Sequence, residues 1–304
     1  MPRRGRLLAL LATAGALLVG CSGPSHAGAA AIIGDTRIPV ADVQSWMDEV
    51  MRKEPAATAQ LQQQDQLDDL GRQLASQLVV QELAAHAARE EALAVTPEQV
   101  NARIDRMGGP GAATEGGIYT EGNVRDVVRA QLLATELGRK YFDRLAVTID
   151  YTQATTRADA QRKAERMAEG PEQATALVAA DRRTGVPAVA DQRLRAADSP
   201  QLAAMTPLFG AEPGTVLAFE PEPNSGQWLI ARIDHRSTEA TGPPSGADDQ
   251  LLQQFGFNLL GHTAQRAGLE LSPRYGVWDS IALTAAPGEG QTTGWRIEPA
   301  DRQS

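Results

Sequence analysis

Amphipathic helical patterns lie on both sides of a strand-rich segment, and this feature constrains the fold most. On the N-terminal side, a stripe of leucines recurs at helical spacing at Leu67, Leu70, Leu74 and Leu78. On the C-terminal side, residues 248–267 again carry apolar residues on one helical face. Neither stripe has a partner within its own part of the chain. We therefore predict an α+β fold with a mostly helical core built from residues 31–146 and 248–280, into which residues 147–240 are inserted as a small α+β domain.

The strongest local signal for a helix is Thr96-Pro97-Glu98-Gln99. Thr96 suits the N-cap, Pro97 the first helical position, and Gln99 can reach back to the cap. Apolar spacing predicts helices over residues 42–51, 59–93, 97–107, 122–145 and 248–267, with Pro55 ending the first and a loop over residues 108–117. Residues 31–40 are predicted to form two short strands around Gly34-Asp35.

The inserted segment differs from its helical flanks in that its pattern predicts strands as well as helices. Strands are predicted over residues 147–152, 215–220 and 227–234. Helices are predicted from Thr156 to a break at Gly170-Pro171, from that break to Gly185, and around residues 200–209. After the last helix, residues 271–279 are expected to be extended. Residues 284–304 are predicted to be a polar, poorly ordered tail.

The N-terminus has the pattern of a bacterial export signal. Residues 1–6 are basic and residues 7–20 are apolar or small, which is too short a run for a membrane-spanning helix. Leu18-Val19-Gly20-Cys21 resembles a lipobox, in which the cysteine is acylated and becomes the new N-terminus. We predict a lipoprotein signal peptide over residues 1–20, a lipid anchor on Cys21 at the outer face of the cytoplasmic membrane, and a flexible tether over residues 21–30. An uncleaved signal anchor or an ordinary secretory signal peptide is the alternative.

Charge and cysteine content exclude several classes of protein. With 38 acidic and 29 basic residues the net charge is −9, which disfavours binding to nucleic acid. The single cysteine excludes an internal disulfide and a thiolate zinc site. The histidines, His26, His86, His235 and His262, have no metal-binding spacing. We predict no metal and no cofactor.

Two end motifs carry a family resemblance. The start Ala31-Ile32-Ile33-Gly34-Asp35 and the close Ser272-Pro273-Arg274-Tyr275-Gly276-Val277-Trp278-Asp279 resemble SurA-type extracytoplasmic chaperones, especially lipoproteins from actinobacteria. The resemblance implies a helical core that holds unfolded or exported polypeptides and an inserted parvulin-type prolyl isomerase domain.

The insertion departs from an active parvulin. Active members carry a histidine on the first strand, where this chain has Thr148-Ile149-Asp150, and a second on the last strand, where it has Trp228. Gly185-Val186-Pro187 stands in place of a glycine-rich loop. Leu208 and Phe209 remain to line a proline-sized hollow. We therefore predict a degenerate unit with no catalytic residues.

The resemblance places the first and last helices side by side. Adaptable apolar side chains on them are predicted to contact clients: Trp46, Met47, Met51, Phe255 and Phe257. Phe255 and Phe257 point in different directions on a helix, so at least one is expected to face a neighbour or a groove. The leading hypothesis is a lipid-anchored chaperone without catalysis. The alternatives are a prolyl isomerase with a diverged pocket and a dedicated partner lipoprotein of one envelope complex.

Overall fold

The computed structural model describes residues 27–299, which form the predicted mixed α+β fold. The helices in this range are α1 (Val40–Lys53), α2 (Pro55–Gln63), α3 (Leu67–Glu91), α4 (Pro97–Arg106), α5 (Gly109–Thr114), α6 (Val124–Tyr141), α7 (Arg157–Ala168), α8 (Pro171–Arg183), α9 (Pro200–Met205) and α10 (Asp249–Ala267). The strands are β1 (Ala29–Ile33), β2 (Thr36–Pro39), β3 (Ala146–Ala154), β4 (Val189–Arg195), β5 (Val216–Phe219), β6 (Trp228–Ser237), β7 (Leu269–Leu271), β8 (Val277–Asp279), β9 (Thr284–Ala286) and β10 (Gly294–Ile297). None of the helices between residues 27 and 299 combines the length and apolar character needed to cross a membrane.

Capping residues fix where the main helices begin. At α4, Gln99 N donates to Thr96 Oγ1 at 3.3 Å and Thr96 N donates to Gln99 Oε1 at 2.7 Å, which confirms the predicted capping box. At α10, Leu251 N donates to Asp248 Oδ1 at 2.9 Å. These bonds satisfy backbone donors that have no partner inside the helix.

Two predicted boundaries are wrong. The single helix expected over residues 59–93 is two helices, α2 and α3, because Asp65 adopts a left-handed conformation with φ 54° between them. Pro55 ends α1 as predicted, but it also occupies the first position of α2. Part of the loop predicted over residues 108–117 forms the short helix α5.

The strands between residues 27 and 299 form three antiparallel sheets. β1 lies between β2 and β7, so a strand that follows the last helix joins the N-terminal hairpin. A five-stranded sheet has the order β10-β5-β6-β3-β4, and β8 pairs with β9. β1 begins at Ala29, so the predicted tether over residues 21–30 is wrong for its last two residues, which are buried.

Two glycines bring α6 and α10 into backbone contact. A Cβ atom at Gly256 would lie 1.8 Å from Ala134 O, and one at Gly138 would lie 2.0 Å from Leu252 O. Only a glycine hydrogen fits in either position. The helical segment that precedes the insertion and the helix that follows it therefore pack with their backbones in contact.

One continuous core joins the helical part to the five-stranded sheet. The fully buried Phe255 on α10 lies edge-on to Phe142 at 5.0 Å and to Phe209 of the inserted segment at 6.0 Å between ring centroids. A Cβ atom at Gly210 would lie 2.0 Å from Asn258 O, so the insertion also meets α10 at backbone distance. The opposite face of the sheet is covered by α7 and α8.

The C-terminal segment is ordered, so the prediction of a polar tail over residues 284–304 is wrong for residues 284–297. β10 pairs with β5 as the edge strand of the large sheet. The buried Asp279 accepts backbone hydrogen bonds from Ile281 at 2.9 Å, from Ala282 at 3.1 Å and from Thr293. Arg157 anchors the segment by donating to Thr292 O at 2.7 Å while lying over Trp295. These buried polar contacts fix a segment whose composition alone indicates a loop.

Candidate peptide-binding groove

A groove runs between α3 and α6 and continues towards α10. It consists of two hollows of about 320 Å³ and 300 Å³ that share Gln81 and Ala130 as lining residues. The first hollow lies beside Tyr119 and Phe257, and the second beside the β2 strand and the start of α1. We refer to the two hollows together as the α3–α6 groove.

Aromatic side chains form one wall of the first hollow. Phe257 on α10 is half-buried, although Phe255 two residues earlier is fully buried. Tyr119, on the loop before α6, also lines this hollow, and burial raises its pKa above the ordinary value. Leu283 also lines this hollow with φ 53°, a conformation that is costly for a branched side chain.

Helix α1 holds Tyr119 in place from behind. Trp46 Nε1 donates to Ile118 O at 2.7 Å, and its ring centroid lies 6.4 Å from that of Tyr119. Lys53 Nζ donates to Tyr119 O at 3.1 Å, and Thr120 Oγ1 donates to a Glu49 carboxylate oxygen at 2.7 Å. The loop is therefore bound to α1 through three side chains that lie one or two helical turns apart.

Amide side chains line the floor and rim of the first hollow: Gln77, Gln81, Gln131 and Gln254. Gln77 and Gln81 are four residues apart and share one face of α3. The Gln81 Nε2 atom is buried and has no hydrogen-bond partner within residues 27–299. A buried donor without an acceptor costs about 1–3 kcal/mol, so this amide is poised to donate to a ligand carbonyl.

The second hollow carries charges of both signs. Asp42, Glu82 and Asp126 line it together with Arg37 and Arg129. Glu82 pairs with Arg89 at 2.8 Å, outside the hollow. Asp42 and Asp126 form no ion pair with any residue from 27 to 299. Arg37 and Arg129 form no ion pair with a residue in that range either, so this end of the groove presents unpaired charges of both signs.

The structure separates the five residues predicted to contact clients. Trp46 and Phe255 lie in the core, where Trp46 supports the Tyr119 loop and Phe255 joins the insertion to the helices. Met47 and Met51 are half-buried on α1. Phe257 lines the α3–α6 groove, as the two-residue offset from Phe255 allows. The predicted lipidation site, Cys21, and the predicted signal peptide lie outside the described residues.

Sequence reasoning missed the glutamines and Tyr119 as site residues. A signal for Gln77 and Gln81 was present, because both fall beside the leucine stripe of α3 at a spacing of four. Nothing in the sequence indicated that Tyr119, in an irregular loop, returns to face α10.

The region of the insertion expected to hold a proline is filled. Leu208 and Phe209 are buried, and α10 packs over them through Phe255. On the opposite face of the sheet, Trp228 lies 5.4 Å from Trp295 with Arg157 over both rings. The residues from 27 to 299 contain no group of three or more side chains arranged to hold a metal ion.

Comparison with known proteins identifies the N-terminal part of the chain. Residues 6–136 match the family model of the SurA-like N-terminal domain, so the resemblance to the SurA-type family is confirmed for this part of the chain. Among solved structures, the chain is similar to the foldase protein PrsA from Lactococcus lactis, with 12% identity and a TM-score of 0.28 over 80% of this chain and 94% of that chain. No curated protein matches the sequence.

Proposed function

We propose that this protein is a lipid-anchored, extracytoplasmic chaperone that binds extended segments of unfolded or exported polypeptides in the α3–α6 groove, without catalysis. The observation that carries the proposal is the buried, unpartnered Gln81 Nε2 atom, on a helix of the SurA-like N-terminal domain, in a hollow that Tyr119 and Phe257 also line. Main-chain carbonyls occur in every polypeptide, so an amide donor beside aromatic walls suits a receptor of low sequence specificity.

The charges of the groove favour a class of client. A segment that places an aromatic or aliphatic side chain against Phe257 would direct its next residues towards the second hollow, where Asp42 and Asp126 lack ion-pair partners. The hollow carries three carboxylates and two guanidinium groups, so this excess of negative charge favours segments that combine apolar and basic residues. The net charge of −9 on the whole chain acts in the same direction over a longer range.

The cellular location rests on the N-terminal sequence. The basic start, the short apolar run and Leu18-Val19-Gly20-Cys21 support export and acylation of Cys21. Two acyl chains give stable attachment to a membrane, so the folded part would work beside the outer face of the cytoplasmic membrane. Neither ATP nor a metal is required for this mode of binding.

The lack of catalysis rests on the inserted segment. A prolyl isomerase must bind proline in a desolvated pocket and stabilise the twisted amide. Here α10 covers Leu208 and Phe209, and no histidine lies on β3. A protease-coupled proline-peptide assay is expected to show no acceleration over the uncatalysed rate. Acceleration that is lost in Phe209→Ala would establish the isomerase alternative instead.

The central experiment compares client binding with stability in one near-isosteric variant. Gln81→Met keeps the volume and removes the unpartnered donor. The free protein should be unchanged or stabilised by about 1 kcal/mol, because no internal hydrogen bond is lost. Binding of a fluorescent, unfolded model polypeptide should weaken about five- to tenfold, which corresponds to the loss of one hydrogen bond.

The apolar wall is tested by Phe257→Ser, with Met205→Ser as its control. Met205 is 64% exposed and lies outside the groove. Phe257→Ser should reduce suppression of the aggregation of denatured citrate synthase, whereas Met205→Ser should leave it unchanged. If Gln81→Met and Phe257→Ser both retain full binding, the groove is not the client site.

A dedicated partner lipoprotein would use the same scaffold for a single client. Cross-linking of the full-length protein in membranes, followed by mass spectrometry, separates the two functions. A general chaperone yields many polypeptides without sequence similarity, and a dedicated partner yields one complex in constant proportion.

A further inference from the structure

A second cavity, of about 380 Å³, lies among the C-terminal end of α3, α6, α10 and β6. Its polar lining consists of Glu90, Glu91, Tyr141, Arg236, His262, Thr263 and Arg266. It shares no lining residue with the α3–α6 groove. Because β6 belongs to the insertion, the cavity lies where the insertion meets the helical core.

Two arginines reach this cavity without a carboxylate partner. The only hydrogen bond of the Arg236 side chain within residues 27–299 runs from Nε to Phe209 O at 3.4 Å, which is long. The Arg266 side chain forms no hydrogen bond and no ion pair with any residue in that range. Arg266 is exposed to solvent, whereas Arg236 is half-buried, and a buried guanidinium group is normally matched by a carboxylate or by several carbonyl oxygens.

The carboxylates around the cavity are engaged elsewhere. Glu91 accepts from Lys140 Nζ at 2.7 Å and from the Tyr141 hydroxyl at 2.5 Å. Glu212 Oε1 lies 2.9 Å from His262 Nε2. Glu90, at the outer edge, lies 3.6 Å from His86. Of these three carboxylates, Glu91 is matched by a lysine, whereas Glu90 and Glu212 lie beside imidazoles.

The pKa of His262 depends on the burial of its imidazole and on the charges around the cavity. Burial and the positive charges of Arg236, Arg266 and the nearby Arg296 lower its pKa to about 4, against an opposing effect of Glu212. Burial also lowers the pKa of Arg236, against the opposing effects of Tyr141, Glu212 and Glu91. Burial is the largest cause of both shifts, and the positive charges of neighbouring arginines add to it against the opposing effect of nearby carboxylates.

We infer that this cavity is a binding site for a small oxyanion, a carboxylate or a phosphate, held by the guanidinium groups of Arg236 and Arg266. Guanidinium donors match the paired oxygens of both anions. The volume exceeds that of an inorganic ion and leaves room for the residue that bears a terminal carboxylate. The site is distinct from the proposed client groove, so either can fail without the other.

Isothermal titration of the full chain with inorganic phosphate tests the site directly. Arg236→Gln and Arg266→Gln should each weaken binding about tenfold or more, the effect of losing a charge-assisted hydrogen bond. Arg166→Gln, which removes the same charge from an exposed position on α7, should change nothing. Equal losses in all three variants, or no saturable binding by the unaltered protein, would overturn the inference.

A second measurement needs no variant and so does not depend on folding of the mutants. The pKa of His262, followed by NMR, should rise when phosphate is added, because the anion offsets the surrounding arginines. An unchanged pKa at saturating phosphate would contradict the site. Two peptides that differ only in a free or an amidated C-terminus identify the source of the anion: preference for the free acid indicates a polypeptide terminus, and equal weak binding of both beside tight phosphate binding indicates a free anion.

Discussion

Replacement of Gly256 by alanine tests the crossing of α6 and α10 that holds the two ends of the fold together. The added Cβ atom would lie 1.8 Å from Ala134 O, 2.6 Å from Ala134 C and 3.1 Å from Gly138 N. A backbone carbonyl cannot rotate away as a side chain can, so the helices must separate by more than about 1 Å to restore van der Waals contact.

The expected net effect is a loss of about 2 kcal/mol, within a range of about 0.5–3.5 kcal/mol. Alanine gains about 1 kcal/mol in intrinsic helix propensity over glycine. Overpacking costs about 1–3 kcal/mol, and separation also weakens the edge-on contact of Phe255 with Phe142, which contributes about 0.5–1.5 kcal/mol. The steric cost is therefore larger than the gain in helix propensity.

Urea denaturation followed by circular dichroism measures this effect, with Gly111→Ala as the matched control. Gly111 lies in α5 with no atom within 4 Å of a Cβ atom built there, so the same substitution should be neutral or stabilising by up to about 1 kcal/mol. If Gly256→Ala is as stable as Gly111→Ala, the close crossing of α6 and α10 does not exist.

Three further predictions concern the anchor, the acid response and the C-terminal segment. Cys21→Ala should move the protein from the membrane fraction to the medium or retain it as a precursor, and unchanged detergent partitioning would exclude the lipoprotein assignment. His262 has a pKa of about 4 in the fold against an ordinary 6.5, so its neutral form stabilises the fold above about pH 6.5 and that contribution is lost as the pH falls towards 4. Between about pH 7 and pH 5 the loss should be about 2 kcal/mol, and His262→Asn should show that much less acid sensitivity in urea denaturation; equal pH profiles would refute the assignment. Asp279→Ala leaves three backbone donors without their acceptor and should cost about 2–4 kcal/mol, with faster hydrogen exchange in β10; exchange confined to residues 279–283 would show that β10 does not depend on this carboxylate.

Periodic and capping signals in the sequence predicted most of the helices. The capping box at Thr96 and the cap at Asp248 determine a backbone conformation locally, so the residues themselves contain the information. The offset between Phe255 and Phe257 likewise follows from helix geometry alone.

Features that depend on long-range contact were not predictable. β4 is a polar edge strand, and β10 is held by its pairing with β5, by Arg157 and by the backbone hydrogen bonds to Asp279. The role of Trp46 was misjudged for the same reason, since a large aromatic side chain suits a groove and a core equally until its neighbours are known. The contact of Gly138 and Gly256 between α6 and α10 forms only when the two helices pack together, so neither stretch of sequence indicates it alone.

Site-specific photo-crosslinking tests the central claim most directly, because it locates a bound client without altering the groove elsewhere. A photoreactive amino acid at Gln77, on the rim of the first hollow, is compared with one at Met205, which is exposed but outside the groove. An unfolded polypeptide should crosslink at position 77 and not at position 205, and the crosslink should weaken in the Phe257→Ser background. Crosslinking at position 205 with none at position 77 would contradict binding in the α3–α6 groove.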